Sequence, residues 1–225
     1  MPQLIAMVIV VVGAMIYMFQ TFGGTGDKIE GVAQKGSIIT EIHNIKDGVK
    51  IAAKSGHIET TAGTDADAVS DLKGLATLSY FAEQINSQLT TSTNANANVY
   101  NAISFGGKSE TTTGTNNDSA MKISLVATTV GRIPGIFVDL ADGSLGTNKA
   151  FLEAQISNDL QSIAYIDRHA KTAVATATVQ NSTGTDIEKR TPAYSTEDKT
   201  AGSETISDGK FIIYFKDFGA DEVIK

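Results

Sequence analysis

Pro2 to Phe22 reads PQLIAMVIVVVGAMIYMFQTF, and the first charged side chain in the chain is Asp27. From Leu4 to Phe19 the run is unbroken apolar. At about 1.5 Å of rise per residue, this run and its flanks make a helix about as long as the hydrocarbon core of a bilayer is thick, slightly on the short side. A surface helix of a soluble domain keeps a polar face. Here every face carries Leu, Ile, Val, Met, Ala, Tyr or Phe, so the helix needs lipid or protein on all sides. A cleaved secretory signal carries basic residues before its apolar core and a small-residue cleavage site after it, and neither is present. An anchor that sends its domain outward normally keeps Lys or Arg on the cytoplasmic flank. The missing basic flank leads us to expect that a short leader has been removed and that Met1 is a processed N-terminus.

Gly23, Gly24, Thr25 and Gly26 follow, three glycines in four positions, which weaken or melt a helix. A phosphate-binding loop would need a Gly-Lys-Ser or Gly-Lys-Thr ending after a strand, and here Asp27 follows instead. Gly23, Gly24 and Gly26 are therefore expected to form a hinge, or a locally unwound part of one long helix. This divides the chain into 1–26, the hydrophobic helix and glycine hinge, and 27–225, a single α/β globular domain.

From Ile29 to Lys54 apolar residues recur at three and four, with Glu30, Lys35, Glu41, Lys46, Asp47, Lys50 and Lys54 between them. This pattern predicts an amphipathic helix over 27–54 with Asp27 and Lys50/Lys54 matching the helix dipole and Gly56 as its stop. A second helix is expected over Asp65–Leu89 and a third over Asn148–His169. Strands are expected at Val99–Phe105, Met121–Thr129, Ile136–Leu140 and Lys171–Gln180. Lys210–Phe218, KFIIYFKDF, is the strongest strand and a natural central one. The fold class is thus α+β: a long N-terminal hydrophobic helix continuing into an amphipathic helix packed on a mostly antiparallel sheet. Loops rich in Thr, Asn, Ser and Gly occupy 60–68, 90–98, 106–119 and 181–209.

Composition excludes several functions. With 18 Lys and Arg against 25 Asp and Glu, the net charge is −7, which opposes nucleic-acid binding because phosphate neutralisation needs clustered basic side chains. The absence of cysteine excludes disulfides, thiolate metal sites, iron–sulfur clusters and cysteine nucleophiles. His43, His57 and His169 are far apart in sequence and read as structural. Arg168 with His169 reads as charge complementing a helix terminus. Asp65, Asp67 and Asp71 lack the glycine and distal glutamate of an EF-hand loop and read as helix-start carboxylates and caps. Asp139 and Asp142 flank a turn with Gly143, and the turn explains them. No cofactor, no metal and no catalytic set is expected. Asn117-Asp-Ser and Asn181-Ser-Thr fit the glycosylation acceptor pattern and mark exposed loops.

An all-apolar N-terminal helix, a glycine-softened stretch, an amphipathic helix and an α/β part ending in a strong strand resemble the layout of the type IV pilins, closest to the type IVb branch. The resemblance is carried by Met1 to Lys54. It implies a subunit of an extracellular filament that waits in the inner membrane, is handled by the pilus assembly machinery and polymerises with copies of itself. Roles in adhesion, motility or conjugation, and methylation of the N-terminal amine, are implied with it. Two features depart from the family: Ile5 stands where a glutamate is usual, and the C-terminal disulfide is missing. The expected assembly positions are Met1, Leu4, Ile5, Ala6, Val8, Ile9, Val12, Gly13, Ile16 and Phe19, with Ala6, Gly13 and Ala14 allowing close helix approach. The alternative reading is a single-pass membrane-anchored binding or scaffold protein with its domain outside the cytoplasm.

Overall fold

The computed structural model describes residues 31–61, 67–91, 97–108, 119–174 and 206–225. The hydrophobic segment 1–26 and the hinge lie outside them. Among the described residues no helix is long and apolar enough to cross a membrane.

Helix α1 covers residues 31–55. Ile38, Ile42, Ile45, Val49, Ala52 and Ala53 are fully buried along it, a stripe stepping by four and three as one helix face requires. It stops where expected. Gly56 adopts φ 75°, its N–H donates to Ala53 O (3.0 Å), and His57 N–H donates to Ala52 O (3.1 Å), which satisfies the last-turn carbonyls.

Among the described residues the sheet has five strands: β1 Tyr100–Asn101, β2 Lys122–Val126, β3 Gly135–Asp139, β4 Ala164–Asp167 and β5 Lys210–Phe215. Their order is β1-β2-β3-β5-β4 and every neighbouring pair is antiparallel. Directly paired residues share a face. The register therefore places Tyr100, Ile123, Val138 and Phe211 in one row, and Leu125, Ile136, Ile213 and Ile166 in the next. That face meets α1: Glu41 reaches Tyr100, and the His43 ring lies 5.9 Å from the Phe215 ring. The segment KFIIYF of β5 is paired on both sides, as its sequence predicts, and five of its six residues are buried.

Four expected elements differ. The helix expected over Asp65–Leu89 is two helices, α2 Leu72–Thr77 and α3 Glu83–Thr90. No Gly or Pro marks the break. Ser79 takes φ 62°, and Phe81 inserts against α1 at Gly48, whose missing Cβ would clash with the Phe81 ring. A tertiary fit sets that break. Asn86 stabilises it locally, accepting from Phe81 N–H (3.3 Å) and donating to Phe81 O (2.7 Å).

The helix expected over Asn148–His169 ends early. Helix α4 spans Lys149–Leu160, and Ala164–Asp167 is the edge strand β4 paired with β5. Leu160, Ile163, Ala164 and Ile166 fit helical spacing. A strand partner for the outer side of β5 is worth more than another helical turn, and Lys216 Nζ covers the freed carbonyl of Gln161 at 2.9 Å. Ile163 is 46% exposed.

Val99–Phe105 shortens to two strand residues and then a 3-10 turn, Ile103–Phe105, closed by Gly106 at φ 78°. The reason is that Ser104 N–H is taken by Glu41 Oε1 (2.8 Å) and Ile103 N–H by Tyr100 Oη (3.3 Å), so neither extends the ladder. Of the strand expected at Lys171–Gln180, residues 171–174 are irregular and the remainder lies outside the described residues.

Candidate assembly surface

Every expected assembly position, from Met1 to Phe19, the hinge glycines Gly23, Gly24 and Gly26, and both glycosylation asparagines, Asn117 and Asn181, lie outside the described residues. Ser119, third residue of the first tripeptide, is described. It is fully buried and its hydroxyl donates to Met121 O (2.6 Å), so that end of the tripeptide belongs to the interior and does not mark an exposed loop.

The described surface nearest in sequence to the apolar run is the first half of α1. Gly31 is buried, and a Cβ there would sit 3.0 Å from Phe151 Cε1 of α4. Lys35 Nζ pairs with Asp159 Oδ2 at 2.6 Å, a second tie between the two helices. Opposite this contact the exposed residues of α1 are Val32, Ala33, Gly36, Ser37, Thr40 and Asn44, and no charge appears on that face before Asp47. Val32 is 60% exposed and Ile51, on the continuation of the face, 57%. A solvated helix face of this length normally carries Lys and Glu.

Three polar clusters fix the domain behind that surface. Glu41 is buried on α1 and accepts from Tyr100 Oη (2.9 Å) and Ser104 N–H (2.8 Å). Burial first, and then the charge of Glu41, hold the Tyr100 phenol well above its ordinary pKa. Glu153 of α4 is fully buried and accepts from Arg168 Nε (2.6 Å) and Gly209 N–H (2.9 Å), while Arg168 also donates to Ile206 O. Burial pushes Glu153 up against the opposing pull of those two donors. Arg168 thus answers a buried acid and does not complement a helix end. The third cluster joins α1 to the segment after β5. Lys46 and Lys50 meet Asp217 Oδ2 at 2.7 and 3.1 Å, with Lys46 over the Phe215 ring and Lys50 over that of Phe218.

No protein-family model, curated protein or solved structure matches the chain. The chemistry of the surface is therefore carried by its own residues. His43 Nδ1 lies 2.8 Å from Ile39 O one helical turn back, and His57 Nδ1 is 2.5 Å from Tyr80 Oη. His169 follows β4, with its N–H on Asp167 Oδ1. Asp71 caps α2 through Gly74 N–H (2.7 Å), Asp139 Oδ1 accepts from Ala141 N–H in its turn, and Asp142 pairs with Lys122. Among the described residues no group of three or more His, Asp or Glu is placed to hold a metal ion. Glu41, expected among the charged residues between the apolar positions of α1, is buried instead, and Glu153 is not singled out by the sequence; each falls among apolar residues on a helical stripe. That position, a carboxylate where the period demands Leu or Ile, is the signal that would have marked them.

Proposed function

We propose that this chain is the structural subunit of an extracellular helical filament similar to a type IV pilus, polymerising through its hydrophobic N-terminal segment. One observation carries the reading: a segment with no charged side chain before Asp27 leads in sequence directly into α1, whose inner face is built into the domain core. Past the charged Asp27, Lys28 and Glu30, the outer face of α1 is again uncharged from Val32 to Asn44.

In this reading the apolar run within residues 1–26 forms a long helix, followed by the glycine hinge, and is held first in the cytoplasmic membrane and then in the filament core. Apolar helices gain little from one another in lipid, but a sheath of domains that excludes water lets them bury every face together. Some fifteen large side chains at about 1.5 to 3 kcal/mol each contribute tens of kcal/mol before entropy and association costs, enough to hold a polymer without covalent links. Contacts that repeat head to tail without closing a ring propagate as a fibre. The partners are then further copies of the chain and the machinery that assembles them.

Negative-stain microscopy of material sheared from the cell surface tests this. Fibres containing this polypeptide are expected, and Val12→Asp in the apolar run is expected to abolish them while leaving the thermal unfolding of the domain in place. Recovery of monomers released only by detergent would point to a singly anchored protein and overturn the filament.

A further inference from the structure

Between α3 and the turn that follows β1 lies a shallow, open trough of about 540 Å³. One wall is a single face of α3, with Glu83, Gln84, Ser87 and Thr91 along about 12 Å of helix. The other wall is Ile103 and the Gly107-Lys108 backbone. The floor is Gln88, which is buried and pinned at both ends of its amide: Nε2 donates to Asn101 O (2.8 Å) and Oε1 accepts from Asn101 N–H (3.0 Å). The second wall is equally fixed. Asn101 Nδ2 donates to Lys108 O (3.1 Å), Gly107 N–H to Ala102 O (3.0 Å), and the Gly107 Cα packs so tightly on the Asn101 carbonyl that no Cβ fits.

The lining selects a class of ligand. The Gln84 amide and the Ser87 hydroxyl offer donors and acceptors side by side, and Thr91 adds a second hydroxyl. Among the described residues that line it, the charged groups are one carboxylate, Glu83, and one amine, Lys108, so their charges cancel in sum. A phosphate or other anion would want more cations than one. A divalent cation would want more than one carboxylate. Ile103 is 39% exposed and presents an apolar flank against this polar row. A sugar ring has the matching build, hydroxyls around its rim and a C–H face. We propose that this trough is a binding site for a neutral saccharide, with the ring edge on Gln84 and Ser87 and its C–H face on Ile103. The proposal stands apart from the filament reading, since it concerns the domain alone.

The test uses the full chain in a detergent without a sugar head group, because a maltoside or glucoside would compete. Saturation-transfer NMR and calorimetric titration with glucose, galactose, N-acetylglucosamine, lactose and maltose are expected to show saturable binding of at least one, with an affinity essentially unchanged by added salt. The double variant Gln84→Leu/Ser87→Leu changes two exposed helix positions, so it is expected to fold as the parent and to weaken that binding by about tenfold or more. Ile103→Ser is expected to weaken it as well. No saturable binding across the five sugars, binding that the double variant leaves intact, or binding that collapses with salt would each overturn the proposal. So would capture of a Thr-rich peptide in place of every sugar.

Discussion

Tyr100 Oη donates to Glu41 Oε2 across 2.9 Å, joining the edge strand β1 to the middle of α1 inside the core. Both residues are buried, Tyr100 at 1% and Glu41 at 3% exposure, so the bond is shielded from water. A buried hydrogen bond to a charged acceptor contributes about 1.5 to 3 kcal/mol. Tyr100→Phe keeps the ring and removes the donor. Urea unfolding is expected to show a loss within that range, read as a lower midpoint at unchanged slope.

Gly48 and Gly36 lie on the same helix and respond oppositely to alanine. At Gly48 a Cβ would collide with the Phe81 ring and the Tyr80 carbonyl, whereas at Gly36 nothing lies within 4 Å. Gly48→Ala is expected to destabilise by about 1 to 3 kcal/mol through overpacking, which outweighs its gain in helix propensity. Gly36→Ala keeps only the propensity gain and is expected to stabilise by about 0.5 to 1 kcal/mol. Thermal melts of the two variants beside the parent measure the contrast.

Removing Arg168 leaves Glu153 buried with Gly209 N–H as its remaining named donor. Arg168→Ala is expected to cost about 3 kcal/mol at neutral pH. Glu153 has a folded pKa above the ordinary 4.5, so its contribution to stability is full below that value and drains away as pH rises through the folded pKa. The gap between parent and Arg168→Ala therefore narrows as pH falls and Glu153 takes up its proton. Chemical denaturation at a series of pH values from neutral down to about 4 would show a constant gap if this pairing were not the cause.

Asp217 behaves with the opposite sign. Burial alone would raise its pKa, but the hydrogen bonds and charges of Lys46 and Lys50 together outweigh burial and hold it below the ordinary 3.8. The stability it contributes is present above 3.8 and is lost as pH falls through the depressed folded value. Asp217→Asn is expected to lower the melting temperature at neutral pH and to make the acid limb of the melting curve shallower below about pH 4. Its side chain is 46% exposed, so added salt is expected to shrink the neutral-pH difference.

Residue periodicity made much of the framework legible. Ile38, Ile42, Ile45, Val49 and Ala52 repeat at helical spacing and are the buried face of α1, and Gly56 ends it in the left-handed conformation that favours glycine. KFIIYF carries enough β-branched and aromatic residues to be the interior strand it is. Each of these follows from interactions within one segment. The apolar character of residues 2–22 is equally a property of the residues alone, and the filament proposal begins from it.

Other features were invisible because distant partners create them. Ala164 to Asp167 suits a helix in isolation and becomes β4 because β5 offers an open ladder edge. Leu78 to Phe81 contains no breaker and turns because Phe81 fits the gap at Gly48. Gln88 sits between Ile85 and Leu89 on a buried stripe, and only the close approach of Asn101 makes it the floor of a polar trough. Local chemistry chose the helix α1, the strand β5 and the greasy leader into the domain. Chain ends meeting across long separations chose where the helices break and which polar groups converge, since a hydrogen bond or a packed ring has no energy until both of its partners are in place.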